Sequence, residues 1–310
     1  MIKGYLAVSR KAWTYSARAY EARPGERTKL KRHVRWAVMA ALREASVQGW
    51  FAFLDEPAIH PFVAANPRLA FRPMGTYMSR RWGWPRRFKV IRDTYIFAHA
   101  NGRALQEALL REGGLVLARW PLEKAGAMTL RLRADAQFRK EGEAGVFLEL
   151  EGVAGAISSF AFSLEHDPGG WICYIGALQG RKGGDEEAIK AATKAMHGLR
   201  PKALMVFVAQ EIARSLRVGA LLGVGNGIHV ARARILGPAK KILFDYDELW
   251  REAGGEPQAE GWFQLPLKAA RRSAEEIKPN KRSMYAKRYA LMDGLSRQIR
   301  TVLTAAGEGA

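Results

Sequence analysis

The sequence predicts an α+β protein: a mostly antiparallel sheet flanked by helices, with a basic helical segment before it and a long C-terminal helix after it. Three observations predict this. Apolar residues recur at helical spacing over the first hundred residues, then alternate at strand spacing from about residue 113. Turn formers such as Asp167-Pro168-Gly169-Gly170 separate the short apolar runs, which is the pattern of an antiparallel meander. The charge is also uneven. Residues 1–100 carry 19 Lys and Arg against 6 Asp and Glu, residues 101–265 carry 21 against 20, and residues 266–310 carry 10 against 4.

In chain order, residues 2–20 place Ile2, Tyr5, Leu6, Trp13, Ala17 and Tyr20 near one helical stripe. Beyond the Pro24-Gly25 break, Val34, Ala37, Val38, Ala41, Leu42 and Ala45 follow a second stripe, expected to face the core. Pro57, Pro61, Pro67 and Pro73 break the chain into turns, and 95–111 reads as helix again. Strands are expected at 115–120, 128–133, 146–152, 156–165 and 171–180. A helix follows at 185–197, with acids in its first turn and Gly198 past its end. Pro201 opens a second, more apolar helix over 203–216. A short strand at 220–226, a helix at 246–253 closed by Gly254-Gly255, a strand at 261–266 and a long helix from Ser283 complete the chain. The expected division is a basic helical segment over 1–100 and a sheet domain with its C-terminal helix over 101–310.

Composition narrows the function. The chain has 310 residues, 48% hydrophobic and 26% charged, enough for a sizeable core. One cysteine, Cys173, excludes an internal disulfide framework. The longest apolar run, 203–209, is far below the roughly 20 residues of a membrane span, and no signal peptide is visible at the N-terminus. A cytoplasmic protein is expected, one able to lie against the inner membrane. The net charge of +20 suits a polyanionic partner: tRNA, an acidic carrier protein or an anionic membrane surface. Its densest basic stretch is 80–92, where Arg80, Arg81, Arg86, Arg87 and Lys89 interleave with Trp82, Trp84 and Phe88. Aromatic rings between cations can stack on bases or enter a lipid interface; equally, the tryptophans can plug into the neighbouring core.

The common catalytic motifs are absent. There is no GxSxG elbow, Walker A loop, CxxC or HExxH, and the six histidines do not cluster at metal-ligand spacing. Gly223, Gly225 and Gly227 mimic half a dinucleotide fingerprint, but Asn226-Gly227 reads better as a turn. The informative stretch joins strand to helices. The strand 174–180 runs into a loop with Gly183 and Gly184, and 197–202 brings Arg200 and Lys202 to a helix start. Helix starts carry unpaired N–H groups and partial positive charge, glycine permits close approach, and Arg offers a bidentate fork to phosphate. A phosphate-bearing ligand is expected there, with Lys190 and Lys194 on a neighbouring helical face; the plainer alternative is a capped helix with solvated charges. Acid–base candidates are Glu141, Glu143, Glu165, His166, His197, His229 and Tyr246. The aspartates of 244–250 fit helix capping better than catalysis.

Taken together, KEGE (140–143), FSLE (162–165), YIGALQG (174–180), IKAATKAMHGLRPK (189–202), GVGN (223–226), DYDELWREAGG (245–255), FQLP (263–266) and KRSMYAKRYALMD (281–293) resemble the VirK/YbjX family of bacterial proteins, in the family's order. That resemblance covers roughly 90–300 and implies an envelope or lipid theme, through the family's association with virulence, lipid A modification and resistance to cationic peptides, without identifying a reaction. The order of elements from the antiparallel strands to the final strand also resembles the GNAT acyltransferases. There, the backbone after the central strand grips the pyrophosphate of an acyl-CoA. RKGGDE (181–186) only approximates that loop, and the helix at 185–197 is additional.

The resemblance implies an acyl- or aminoacyltransferase acting on an amine-bearing acceptor, with acyl-CoA, acyl carrier protein or aminoacyl-tRNA as donor. Under it, Gly183, Gly184, Lys194, Arg200 and Lys202 hold the donor's phosphates. Gln179 and Asn226 orient the reacting groups, and His197 or His229 serves as base. No metal is expected. The alternative is a non-enzymatic, basic membrane-surface or RNA-binding factor that uses Arg80, Arg81, Trp82, Arg86, Arg87 and Lys89.

Overall fold

The computed structural model describes residues 2–21, 26–122, 126–181, 186–232 and 244–304. Among the described residues, the helices before the first strand in the chain are α1 (Ile2–Tyr20), α2 (Glu26–Ala41), α3 (Glu44–Leu54), α4 (His60–Ala65), α5 (Trp84–Ala100) and α6 (Arg103–Leu110), and α10 (Arg282–Thr304) from the C-terminus packs on that strand beside α6. The strands are β1 (Leu115–Leu122), β2 (Gly126–Arg133), β3 (Ala144–Leu150), β4 (Ala156–Asp167), β5 (Gly170–Gly180), β6 (Ala220–Val224), β7 (Glu256–Pro257) and β8 (Trp262–Leu265). Helices α7 (Glu186–Ala195) and α8 (Pro201–Ser215) lie between β5 and β6, and α9 (Tyr246–Glu252) lies before β7.

Among the described residues the strands form one sheet in the order β1-β2-β3-β4-β5-β6-β8-β7, in which only β5 and β6 run parallel. The fold is therefore α+β with a mostly antiparallel sheet, as the change of period predicts. The parallel pair follows from the two intervening helices, because a parallel return needs a crossover of a dozen or more residues. β4 is buried along both of its alternations from Ile157 to Glu165, so helices must cover it; α5 and α8 both pack on it.

The main core of buried apolar residues runs from Val8 in α1 to Leu303 in α10, and a small second cluster holds Phe138, Phe147, Ala161 and Ala177. Three segments meet in the main core through one polar knot. Arg72 lies in the 3₁₀ turn Pro67–Met74, Glu143 at the start of β3 and Tyr95 in α5. The Arg72 guanidinium donates to Glu143 Oε2 at 2.7 Å, and the Tyr95 hydroxyl donates to the same oxygen at 2.6 Å. Tyr77 and Ser163 hydroxyls meet at 2.6 Å, and the Glu143 amide donates to Ser163 Oγ. Burial, with the Glu143 charge beside them, pushes the Tyr77 and Tyr95 phenols well above their ordinary range, so both stay protonated.

In the first two helices the buried face is not the stripe that the sequence spacing picks out. In α1 the buried positions are Val8, Ala12, Tyr15 and Ala19, while Leu6, Trp13 and Ala17 are exposed. In α2, Trp36 and Ala40 are buried; Val34, Val38 and Leu42, expected in the core, face solvent. The physical reason is Trp36, whose ring stacks on Phe71 at 4.7 Å and decides which side of α2 turns inward.

Candidate functional site

The site begins with a defect in the sheet. The β4–β5 register jumps between Ala161–Ala177 and Phe162–Ile175, which leaves Gly176 as an extra residue on β5. A Cβ at Gly176 would lie 1.9 Å from the Glu141 carbonyl, so only glycine lets the 140–143 loop cross the strand here. The parallel pairing of β5 with β6 covers Ile172–Ile175 opposite Ala220–Gly223 and ends at this bulge. Residues 177–180 remain paired with β4 on one edge and, among the described residues, have no strand on the other.

A cleft of about 830 Å³ opens at that free edge, lined by Gln179, Gly180 and Arg181 from the end of β5, by Lys190 and Lys194 from α7, and by Arg200 and Lys202 at the start of α8. Ile157, Ile189 and Phe244 supply its apolar wall. No acidic side chain lines it among the described residues. Arg200 is the N-cap of α8 without a side-chain cap, and Pro201 occupies the first turn. The amides of that turn therefore keep free donors beside the basic side chains. Lys202 Nζ sits 3.6 Å from the centre of the Phe244 ring, and burial holds its pKa below the ordinary lysine value. The arrangement suits an elongated ligand with an apolar or amide-bearing arm and a phosphate end.

The tertiary structure thus brings Gln179, Lys194, Arg200 and Lys202 to one place. Gly183 and Gly184 lie outside the described residues. His197 sits in the turn after α7 with φ of 55°, and its carbonyl accepts two hydrogen bonds from the Arg288 guanidinium; it does not line the cleft. Asn226 is taken up by the start of α9. Its side-chain amide donates to Asp245 Oδ1, its Oδ1 accepts from the Tyr246 amide, and its own amide donates to Asp247 Oδ1. Its geometry is that of a clamp which fixes Tyr246.

Tyr246 links the cleft to His229. Phe244 packs edge-on to Tyr246 at 5.1 Å, and the His229 ring stacks on Tyr246 at 5.0 Å. Burial pushes the Tyr246 phenol up, while the neighbouring Leu178 amide, on the free edge of β5, pulls the other way and the nearby Glu141 charge adds to the rise. Glu141 itself is held above the ordinary carboxyl range by burial. His229 is buried, and burial together with the Arg232 charge pushes it down to about 4. Its Nδ1 accepts from the Ala231 amide, so the ring is neutral with its proton on Nε2, which has no partner among the described residues. That geometry makes His229 a buried donor rather than a base.

Several side chains of the 80–92 stretch are engaged with the rest of the fold, and Trp82 follows the core-plug alternative. Trp82 is buried edge-on against Tyr174 at 5.2 Å and beside Trp262, so it is not available to stack on a base. Arg86 donates to the Tyr174 hydroxyl and pairs with buried Glu165, and Arg87 donates to the Gly75 carbonyl. Lys89 pairs with Asp93 and donates to the His166 carbonyl. Arg80, Arg81 and Arg86 remain exposed. The strand-like contact from Ser79 to His229 ties this segment to the chain just beyond β6. Sequence reasoning had Glu143 as an acid–base candidate but missed Arg72, Tyr77 and Tyr95 around it. No local spacing marks them, because their partners are 48 to 86 residues away.

Comparison with known proteins agrees with the resemblance seen in the motifs. The chain is 30% identical over 250 residues to the uncharacterized protein YbjX of Escherichia coli K12, covering 79% of this chain and 75% of that protein. It is 28% identical over 295 residues to an uncharacterized protein of Haemophilus influenzae, covering 93% and 94% respectively. A second Haemophilus influenzae protein is 39% identical over 127 residues, 40% of this chain and 42% of its own. No solved structure matches significantly. The family model for DUF535, a protein family of unknown function, matches residues 25–301, and with YbjX among the relatives the chain belongs to this VirK/YbjX, or DUF535, family.

Proposed function

We propose that the protein is a transferase that moves an acyl or aminoacyl group from a phosphate-bearing donor to an amine. The observation that carries this reading is the parallel strand pair that opens at the Gly176 bulge onto a cleft ringed by Arg181, Lys190, Lys194, Arg200 and Lys202. The strand order, with one parallel pair in an otherwise antiparallel sheet, supports the GNAT-like reading of the element order. Candidate donors are an acyl-CoA, an acyl carrier protein and an aminoacyl-tRNA.

In this reading the cations at the mouth of α8 hold the donor's phosphates, and its arm lies along the end of β5 at Gln179 and Gly180, beyond the Leu178 amide that Tyr246 engages. Gln179 orients the donor carbonyl. The acceptor nitrogen attacks that carbonyl carbon while the bond to the donor's sulfur or oxygen breaks. The proton that the amine releases passes through water to the leaving group, so the transfer balances without a side-chain acid or base in the cleft. Asn226 positions Tyr246 and does not touch the reacting atoms. Positioning and charge carry such a reaction, so no strong nucleophile is needed. The non-enzymatic reading centred on 80–92 draws less support, since several side chains of that stretch are engaged with the rest of the fold.

The test is binding followed by identification. Purified protein washed at roughly 0.5 M salt to strip loosely held polyanions is denatured, and the released species is read by mass spectrometry. A pantetheine-bearing species supports acyl transfer, and a tRNA-sized RNA supports aminoacyl transfer. With coenzyme A as probe, Arg200→Ala and Lys202→Ala are each expected to raise the dissociation constant at least about tenfold, the loss of one charge-assisted contact. Arg200 is exposed, so the melting temperature of Arg200→Ala should not change. Unchanged affinity in both variants, for coenzyme A and for any released species, overturns the proposal.

A further inference from the structure

The outward faces of α1 and α2 form an apolar surface that the sheet does not explain. Among the described residues, eight large apolar side chains are exposed, and six of them lie on this helix pair: Leu6, Trp13, Leu30, Val34, Val38 and Leu42, with fractional exposures of 42–74%. On α2 and just past its end, Leu30, Val34, Val38 and Leu42 are spaced four residues apart, which places them along one side of the helix over about 18 Å. The two helices run antiparallel in contact. Ser9 Oγ donates to the Ala37 carbonyl, Ser16 meets His33 at 2.7 Å, and the Trp13 ring lies 5.0 Å from that of His33. Trp13 on α1 therefore packs beside His33, the residue before Val34 on α2, which brings the two apolar faces close together.

The surround is basic. Residues 1–43 carry 11 Lys and Arg against 2 acids. Exposed Lys31 and Arg35 each follow a stripe residue, Leu30 and Val34, and exposed Arg10 and Arg18 lie on α1. Lys11 is held by Asp55, while Arg35 and Arg43 lie over the Trp36 and Trp84 rings and both remain exposed. An apolar stripe of Leu, Val and Trp flanked by Lys and Arg matches a helix that lies in the plane of an anionic bilayer. A second copy of the same face is disfavoured because it would bring two basic surfaces together. RNA leaves the apolar stripe unused. No helix among the described residues is long and apolar enough to cross a membrane, so the contact is at the surface.

We infer that the α1–α2 hairpin docks this protein on an anionic lipid surface, with Leu6, Trp13, Leu30, Val34, Val38 and Leu42 entering the interface and Lys31 and Arg35 meeting the headgroups. This goes beyond the transferase reading and stands without it.

The experiment is sedimentation of the full chain with vesicles of phosphatidylcholine alone, or with roughly 30% phosphatidylglycerol added to set a negative surface potential. Binding is expected only to the anionic vesicles, and it should weaken as salt is raised. The double variant Val38→Asp/Leu42→Asp is expected to lower partitioning at least about tenfold. Its melting temperature should not change, because both side chains are exposed; Leu30→Ser/Val34→Ser provides an independent pair. Arg80→Ala/Arg81→Ala should bind as wild type. The proposal is overturned if anionic vesicles are not bound or if both stripe pairs bind as wild type. It is equally overturned if the stripe variants abolish a dimer seen by sedimentation equilibrium while vesicle binding is absent.

Discussion

Glu143→Ala is expected to lower the unfolding free energy by about 3–5 kcal/mol, because it leaves the Arg72 guanidinium charged and unpaired inside the protein. The side chains of Arg72 and Glu143 are 8% and 0% exposed, which leaves no water to take over the lost contact. Burial opposes the Arg72 charge, and the Glu143 carboxylate more than offsets this, holding the guanidinium pKa above its ordinary value. The same truncation removes the acceptor of the Tyr95 hydroxyl. Glu143→Gln keeps the shape and an acceptor but removes the charge, so an intermediate loss is expected. Arg72→Met/Glu143→Leu should recover much of the loss, since it withdraws both charges and fills the space with apolar groups. Urea denaturation of the four proteins makes the comparison. A Glu143→Ala loss below about 1 kcal/mol would show that the pair is hydrated and does not hold the turn at 67–74, β3 and α5 together.

Acid is expected to weaken the fold through His229. Its pKa in the folded protein is about 4, below the ordinary histidine value of 6.5, so the unfolded chain binds the proton more tightly. Stability from this neutral ring is fully present above about pH 6.5 and is lost as pH falls toward about 4, where the loss levels off. The whole effect is about 3 kcal/mol for this one side chain. Glu141, with its raised pKa, works in the opposite sense, and lowered carboxyls such as Asp55 work in the same sense, so a difference measurement is needed. His229→Phe retains a ring to stack on Tyr246 and cannot titrate. Wild type minus variant, followed by denaturation between pH 7 and 4, should slope downward across that window. Parallel curves would mean that His229 reaches solvent and titrates normally.

Much of the architecture was legible in the chain because strands and long helices are local patterns. The runs at 128–133, 156–165 and 171–180 alternate or are continuously apolar, and each falls within a strand. Gly198 and Pro201 separate α7 from α8 as their backbone preferences require. The cations of the cleft were also readable, since Lys190, Lys194, Arg200 and Lys202 lie within one short stretch beside the end of β5. Asn226 and His229 were readable as residue types but not as roles. A clamp on α9 and a neutral donor against Tyr246 depend on partners brought in from elsewhere in the chain.

The helical stripes show where local pattern stops being sufficient. Val34, Val38 and Leu42 have the spacing of a buried face, yet Trp36 and Ala40 on the same helix are the ones covered. Helical periodicity says that a face is apolar, while the choice of face is made by what it can pack against, here Phe71 beside Trp36. The sequence by itself determined the α+β class, the order of most elements, the basic flanks and the family. Tertiary structure alone decided that the strand pair opens at Gly176, that Glu143 joins Arg72 to Tyr95, that Trp82 is sealed inside and that an apolar stripe on α2 is left facing outward. Each of those outcomes rests on contacts between residues distant in the chain, whose energies no local period records.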